Sequence, residues 1–424
     1  MKAITLLALF ISSYAAAQFN QTWMNDYIHY TGTEDSYMRI VETTIYIHPK
    51  VNESCCVQPA QSISTDGVEN WYSEHDQMNA CSNCGLQGVE SVDISSTGDA
   101  YGVGFQPSAP FGGRYIYKTD NQGQLMYAEE YFTNTFSGEF NDVKLSADES
   151  LLFVFGEKYA AEFNTIVPHL FKINPDNGQI LSEVQIAPYG WVFPKKMEVD
   201  AFDNIYLNAS NVDTMRFSSF NSNLELRWTD FVVFPGYVGS GRIETFMYAN
   251  GDVLFSTELN NSENDKRLFL ARYSSSGSII WQQTINFIDY SDADRIFRDA
   301  ILDALGNVYY YYAHISGGFV GPTINPEDEQ VDALRNESNF ESSTKPEVFS
   351  IDPQGQLRYH YIYPGVGNEI YAEYPKRIIA DESGYLIGSS VGDQLFPGVA
   401  HFLLTPQGEL QSEIRLNQIL GATI

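Results

Sequence analysis

The sequence predicts an all-β chain built from repeated short hairpins, and three observations carry that reading. First, a turn glycine followed four positions later by an aromatic residue recurs along the chain. It appears as Gly67 with Trp71, Gly123 with Tyr127, Gly277 with Trp281 and Gly355 with Tyr359. Weaker copies stand at Gly178, at Asn223 (with Trp228 one place late) and at Gly408. Second, an acidic or polar turn running into an aliphatic-aromatic strand begins at Asp93, Lys144, Glu198, Phe246, Ile301 and Ile378. Each copy puts Gly, Asn or Asp where a hairpin turn needs a positive φ, then strand formers. Third, helical i, i+3, i+4 patterning is nearly absent.

The arithmetic of the repeat selects the architecture. The turn positions 67, 123, 178, 223, 277, 355 and 408 are spaced by 56, 55, 45, 54, 78 and 53 residues. A further strand such as RYIYKTD or EVFSIDP precedes each glycine phrase, which makes four short strands per period. Four strands per period of roughly 50 residues, repeated about seven times, predicts a β-propeller, because a single four-stranded sheet cannot bury both of its faces. A β-helix has a much shorter period. Seven blades fit best, with six or eight left open by the degenerate first repeat. Residues 21–30, QTWMNDYIHY, copy residues 281–290, WQQTINFIDY, and so predict an N-terminal strand that closes the ring against the C-terminal repeat.

The chain ahead of the repeats reads as an export signal. Residues 1–17 carry Lys2, an apolar stretch from Ile4 to Ile11, and Ala15-Ala16-Ala17 as a cleavage site that leaves Gln18 first. That stretch is too short to span a bilayer, so no membrane span is expected and 18–424 reads as a single domain. The expected location is secreted, extracellular or at the cell surface, with the periplasm as an alternative. Export makes Cys55, Cys56, Cys81 and Cys84 a candidate pair of disulfides in a polar loop near 51–88. Three connectivities are open, and a four-thiolate metal site is disfavoured by the adjacent doublet. Asn20, Asn52, Asn208, Asn260 and Asn336 head N-x-S/T sequons that chance explains in an Asn- and Ser-rich surface.

Composition narrows the function classes. The 424 residues carry 54 acidic and 24 basic side chains, a net charge of −30. That excludes a phosphate-backbone binder as the default, so no nucleic acid partner is expected. The 28 tyrosines and 27 phenylalanines supply ample core, so this is not an acidic disordered chain.

The phrase D-x-x-G-N-x-Y, as in Asp303 to Tyr309, and K-x-D-x-x-G followed by an aromatic, as in Lys118 to Tyr127, resemble secreted bacterial β-propellers with SBBP-like or quinoprotein-like repeats, of a kind found in Bacteroidota. The resemblance covers nearly the whole mature chain and implies a fold, not a single function. Many such proteins carry a C-terminal sorting domain, whereas this sequence ends at Ile424 just after the last repeat. The cysteine doublet is also similar to the vicinal disulfide of some quinone-dependent dehydrogenases. Their calcium site and catalytic carboxylate have no assignable counterpart here, and no cofactor is expected.

Motifs for catalysis are weak. Gly388-Ser389-Ser390-Val391-Gly392 matches G-x-S-x-G formally, but the repeat places it inside a strand with no helix after it. The seven histidines, His314 and His360 among them, show no metal-binding spacing and read as ordinary strand and loop residues. Asp289, Asp292 and Asp294 are weak calcium candidates, since oxygen ligands on a loop can hold a divalent cation. The 78-residue spacing marks an acidic, strand-poor insertion near 313–347. Tyr310, Tyr312, Tyr361 and Tyr371 are the ligand-contact candidates, against a competing reading in which such rings pack between blades. Together these features predict a non-enzymatic scaffold for a protein or glycan, the alternative being an exported quinone-dependent oxidoreductase or carbohydrate-active enzyme.

Overall fold

A computed structural model describes residues 36–41, 44–49, 60–64, 69–73, 88–106, 113–131, 138–160, 165–186, 192–210, 213–261, 265–287, 294–316, 343–363, 373–381, 383–392 and 398–417. Among these residues every regular element is a strand, apart from a single 3₁₀ position at Phe287. The strands form seven four-stranded antiparallel sheets, each a meander of four consecutive strands. The first strands run Ser36–Val41, Gly88–Ile94, Gly138–Leu145, Val192–Val199, Tyr237–Met247, Asp294–Leu302 and Glu373–Ala380. The fourth strands end at Ser73, Tyr131, Gln185, Val233, Asn286, Ile362 and Asn417. The fold is all-β and of the propeller type. Sheet seven is complete with its own four strands, and residues 18–34, the expected source of a closing strand, lie outside the described residues.

The chain divides into two compact units, Met1–Ile285 and Asn286–Ile424. In the first, the first strands of sheets two to five lie beside one another in sequence order. In the second, the first strands of sheets six and seven do the same. The first strand of each of sheets two to seven breaks register with its second strand, twice in sheet four and once in the others, as bulges do where a strand must twist sharply. A residue after the bulge can then face the next sheet. Asp142 follows the bulge of sheet three, and its Oδ2 accepts from Met197 N in sheet four at 2.8 Å. Its Oδ1 accepts from Ser91 Oγ in sheet two at 2.5 Å. Asp299 repeats the arrangement in the second unit, accepting from Ile378 N at 3.1 Å.

The recurrent turn phrases have a direct structural meaning. In the Asp303 turn one carboxylate oxygen accepts from Leu305 N and Asn307 N, and the other from Asn307 Nδ2 and the Tyr309 hydroxyl. Asp200 does the same with Phe202, Asn204 and Tyr206. The glycine of the glycine–aromatic phrase sits at positive φ, 75° at Gly123 and 88° at Gly277. The aromatic residue four places on lies on the fourth strand and reaches the corresponding turn of the next sheet. Trp228 Nε1 donates to Ser275 O at 3.2 Å, and a Cβ placed on Gly277 would lie 2.5 Å from the Trp228 ring. Tyr127 covers Gly178 and donates to Pro175 O at 3.1 Å, and Tyr359 covers Gly408. These three phrases therefore lock sheet two to sheet three, sheet four to sheet five, and sheet six to sheet seven.

The position at Asn223 needs correcting by one residue. Leu224, not Asn223, takes the left-handed conformation, at φ 63°. Trp228 is then four places later like the others. Asn223 contributes only a backbone amide, which donates to Asn221 Oδ1 at 3.0 Å.

Asp142 is 2% exposed, and three donors from three consecutive sheets or their edges converge on it, Val143 N being the third. Asp142→Ala leaves those donors buried and unpaired, at a cost of about 3 kcal/mol or more. Chemical denaturation of the full chain should show that loss, and a change below about 1 kcal/mol would remove Asp142 from the inter-sheet framework.

Candidate functional site

The two ends of sheets two to seven differ. At one end, strands one and two, and strands three and four, are joined by tight turns closed by backbone hydrogen bonds, such as Gly306 N to Asp303 O and Gly355 N to Asp352 O. At the other end, strands two and three are joined, and strand four leaves for the next sheet. Those connections include 107–112, 132–137, 161–164, 187–191, 288–293, 317–342, 364–372 and 393–397. They vary in length. The insertion expected at 313–347 is shorter than it reads in the sequence. Residues 313–316 and 343–347 extend paired strands, leaving 317–342 outside the described residues.

At the base of that insertion, sheet six gathers one charged or titratable side chain from each of its strands. Arg295 comes from the first strand, His314 from the second (Val308–Ser316), Glu347 from the third (Ser343–Ile351) and His360 from the fourth (Leu357–Ile362). Register explains the meeting. Arg295 stands opposite His314, Tyr312 opposite Glu347, and Phe349 opposite His360, so period-two alternation brings all four to one face. Glu347 is fully buried. Arg295 grips it with Nε to Oε2 at 2.7 Å and Nη2 to Oε1 at 3.0 Å. His360 Nε2 donates to Oε1 at 2.6 Å, and His314 Nδ1 lies 3.5 Å from Oε2. The ring of His360 stacks on Phe349 at 4.5 Å, and the Arg295 guanidinium lies 5.1 Å from the Phe287 ring.

Burial alone would push the Glu347 carboxyl up. The hydrogen bonds from His360 and Arg295, with His314 close beside them, outweigh it and bring the group down to about 2. Glu347 is thus an ionised anchor whose two oxygens are occupied. It can orient two imidazoles and an arginine, and it is poorly placed to give or take a proton.

The residues singled out from sequence fare unequally. Tyr310 and Tyr312 are 1% and 0% exposed, so they are core residues and not an exposed platform. Tyr312 packs edge-on to Phe287, Phe297 and Phe349. Tyr361 packs against the core that holds Phe402 and Tyr363, and burial raises its hydroxyl to about 12. Tyr371, Asp289, Asp292 and the four cysteines lie outside the described residues, and Asp294 opens the first strand of sheet six. Among the described residues no group of three or more His, Cys, Asp or Glu is placed to hold a metal ion. No helix there is long and apolar enough to cross a membrane. Ser390 lies in a strand, opposite Pro375 and Ala400, and the Phe402 ring lies where a Cβ of Gly388 would project. Sequence reading passed over Arg295 and Glu347. The available signal was a charged residue at a strand position where the repeat elsewhere carries apolar ones.

No protein-family model matches the chain, and a search of curated proteins finds no match. Among solved structures it is similar to a protein from Lactobacillus plantarum, at 12% identity and TM-score 0.50, covering 86% of this chain and 94% of that one. It is also similar to the β-propeller domain of the Trilobed protease from Pyrococcus furiosus, at 7% identity and TM-score 0.41, covering 76% and 83%. A puromycin hydrolase aligns at 8% identity and TM-score 0.49, over 90% of this chain and 54% of its own. These are likenesses of fold.

Because the Glu347 carboxyl is held below its ordinary value of 4.5, its contribution to stability is fully present above pH 4.5. It is lost as the pH falls through about 2. Glu347→Gln should cost roughly 3 kcal/mol at pH 7. The gap in thermal midpoint between wild type and variant should then narrow steadily from pH 5 to pH 2. A gap that stays constant over that range would show that the carboxylate charge is not what holds the cluster.

Proposed function

We propose that the protein is an exported, non-enzymatic recognition scaffold that binds a protein or a glycan outside the cell or at its surface. The observation that supports this best is the contrast between the ends of the sheets. One end is fixed by repeated hydrogen-bonded turns, and the other carries connections of differing length, the longest at 317–342. Recognition surfaces are built this way, with variable loops on a rigid frame. The Arg295–Glu347 pair and its two histidines brace the strands from which that longest connection springs. Its sequence, with Glu327, Asp328, Glu329 and Asp332, favours a basic partner surface or a divalent cation and opposes nucleic acid. Export rests on residues 1–17, and the cysteines are then two disulfides within 55–84.

Replacing 317–342 by a short turn should leave the thermal midpoint within a few degrees of wild type and weaken capture of the cell-surface ligand by at least about tenfold. Intact mass of the exported chain should place Gln18 first and show no alkylatable thiol. Undiminished capture by the trimmed chain would move recognition elsewhere. Turnover of an alcohol or sugar by purified protein supplied with quinone and calcium would replace the scaffold reading with an enzyme.

A further inference from the structure

Sheet four, in the first unit, holds an arginine that lacks the usual partner of a buried cation. Arg216 is the third residue of the third strand (Thr214–Phe220) and is 8% exposed. Its Nε donates to Thr229 Oγ1 at 3.0 Å and to Ser218 Oγ at 3.2 Å. Thr229 in turn donates to Phe217 O at 3.2 Å, so the guanidinium plane is held from one side. Neither Nη1 nor Nη2 bonds to a described residue. Asp213, which precedes the strand, accepts from Thr214 Oγ1 at 2.9 Å. Burial lowers the affinity of Arg216 for its proton, with no carboxylate to offset the cost. Guanidinium nonetheless stays charged, and buried charges in proteins are ordinarily paired.

The surroundings say what would pair with it. Phe231 stands directly opposite Arg216 in the fourth strand (Leu226–Val233), and its ring centre is 5.3 Å from the guanidinium carbon. That ring is 48% exposed, and Val233, two places on and therefore on the same face, is 56% exposed. The strand holding Arg216 begins just after the 211–212 connection, so the site lies at the loop-bearing end of the sheet. A fixed fork of two donors suits a carboxylate, and an aromatic face beside it suits the apolar face of a sugar ring. A partner with many acidic groups would meet repulsion from a chain of net charge −30, whereas a single acid group meets only the local cation.

We propose that Arg216 and Phe231 form a binding site for an acidic sugar, a uronate whose carboxylate bonds to Nη1 and Nη2 while its pyranose ring lies on Phe231. The proposal rests on the recognition reading above and names the ligand class for one part of it. The site is built from strands, so it survives loss of the 317–342 connection, and the two readings fail separately.

The test is ligand-observed NMR on the full chain with glucuronic acid, glucose and the neutral-ended aspartate N-acetyl-aspartate amide as probes. Glucuronate should bind at least about tenfold more tightly than either of the others. Arg216→Lys should weaken it about tenfold and Arg216→Gln more, with thermal midpoints confirming that both variants are folded. Phe231→Ser, at an exposed position, should remove the preference for glucuronate over the aspartate amide. The proposal is overturned if glucose binds as well as glucuronate, or if Arg216→Gln keeps the affinity. Equal or tighter binding of the aspartate amide would also overturn it, by assigning the site to acidic peptide.

Discussion

The structure depends on one contact that recurs between sheets two and three, four and five, and six and seven, an aromatic ring of one sheet resting on the turn glycine of the next. A four-stranded meander has two faces to bury and no means of doing so alone. Stacking buries them, but stacking of flat apolar faces fixes neither distance nor register. The ring on the glycine does both. Trp228 can lie against Gly277 only because that residue has no Cβ, and its indole nitrogen bonds to the carbonyl of Ser275 in the same turn. The residue before the ring strengthens the contact. Arg227 Nη2 donates to Ser275 O at 3.0 Å, and Arg358 Nη2 donates to Pro406 O at 2.6 Å in the second unit. Tyr273 stacks on Trp228 at 5.4 Å, tying the lock to the buried core between sheets four and five.

Much of this was legible because the lock is written in two residues at fixed spacing. A glycine and an aromatic residue four apart survive in a sequence where nearly every other position varies with the repeat. At Asn223, where the glycine is missing, the reading slipped by one residue, whereas the turns of Glu149 and Asp203 were found through the phrases that begin at Lys144 and Glu198. Glu149, Asp203 and Leu224 all adopt left-handed backbone near φ 60°, which costs a side chain about 1 kcal/mol. Each has a compensating contact with a neighbouring sheet. Glu149 accepts from Ser96 N and Oγ, Asp203 accepts from Ala147 N at 2.7 Å, and Leu224 is buried in the core shared by sheets three and four. A pattern search for glycine cannot see a turn stabilised by a contact some fifty residues away.

The candidate sites were less legible for a related reason. Tyr309 to Tyr312 looks like a surface of rings, yet a strand buried on both faces takes in all four, as 0–1% exposure shows. Glu347 draws no attention in KPEVFSI, because its partners Arg295, His314 and His360 come from three other strands. Arg216 is conspicuous only through what is missing beside it. Cross-strand register, which the sequence does not display, decides both. The result in sheets four and six is a division of labour, with the lock and hydrogen-bonded turns toward one end and buried charged side chains toward the other.

The central claim is that ring-on-glycine contact, beyond the turn geometry itself, holds successive sheets together. Gly251 and Gly277 separate the two effects. Both sit at positive φ, 83° and 88°. A Cβ on Gly251 meets nothing nearer than Ser275 Cβ at 3.7 Å, whereas on Gly277 it meets the Trp228 ring at 2.5 Å. Equilibrium unfolding of Gly251→Ala and Gly277→Ala compares them directly. The account predicts a loss of about 1 kcal/mol for the first and at least about 2 kcal/mol more for the second. Equal losses would contradict it.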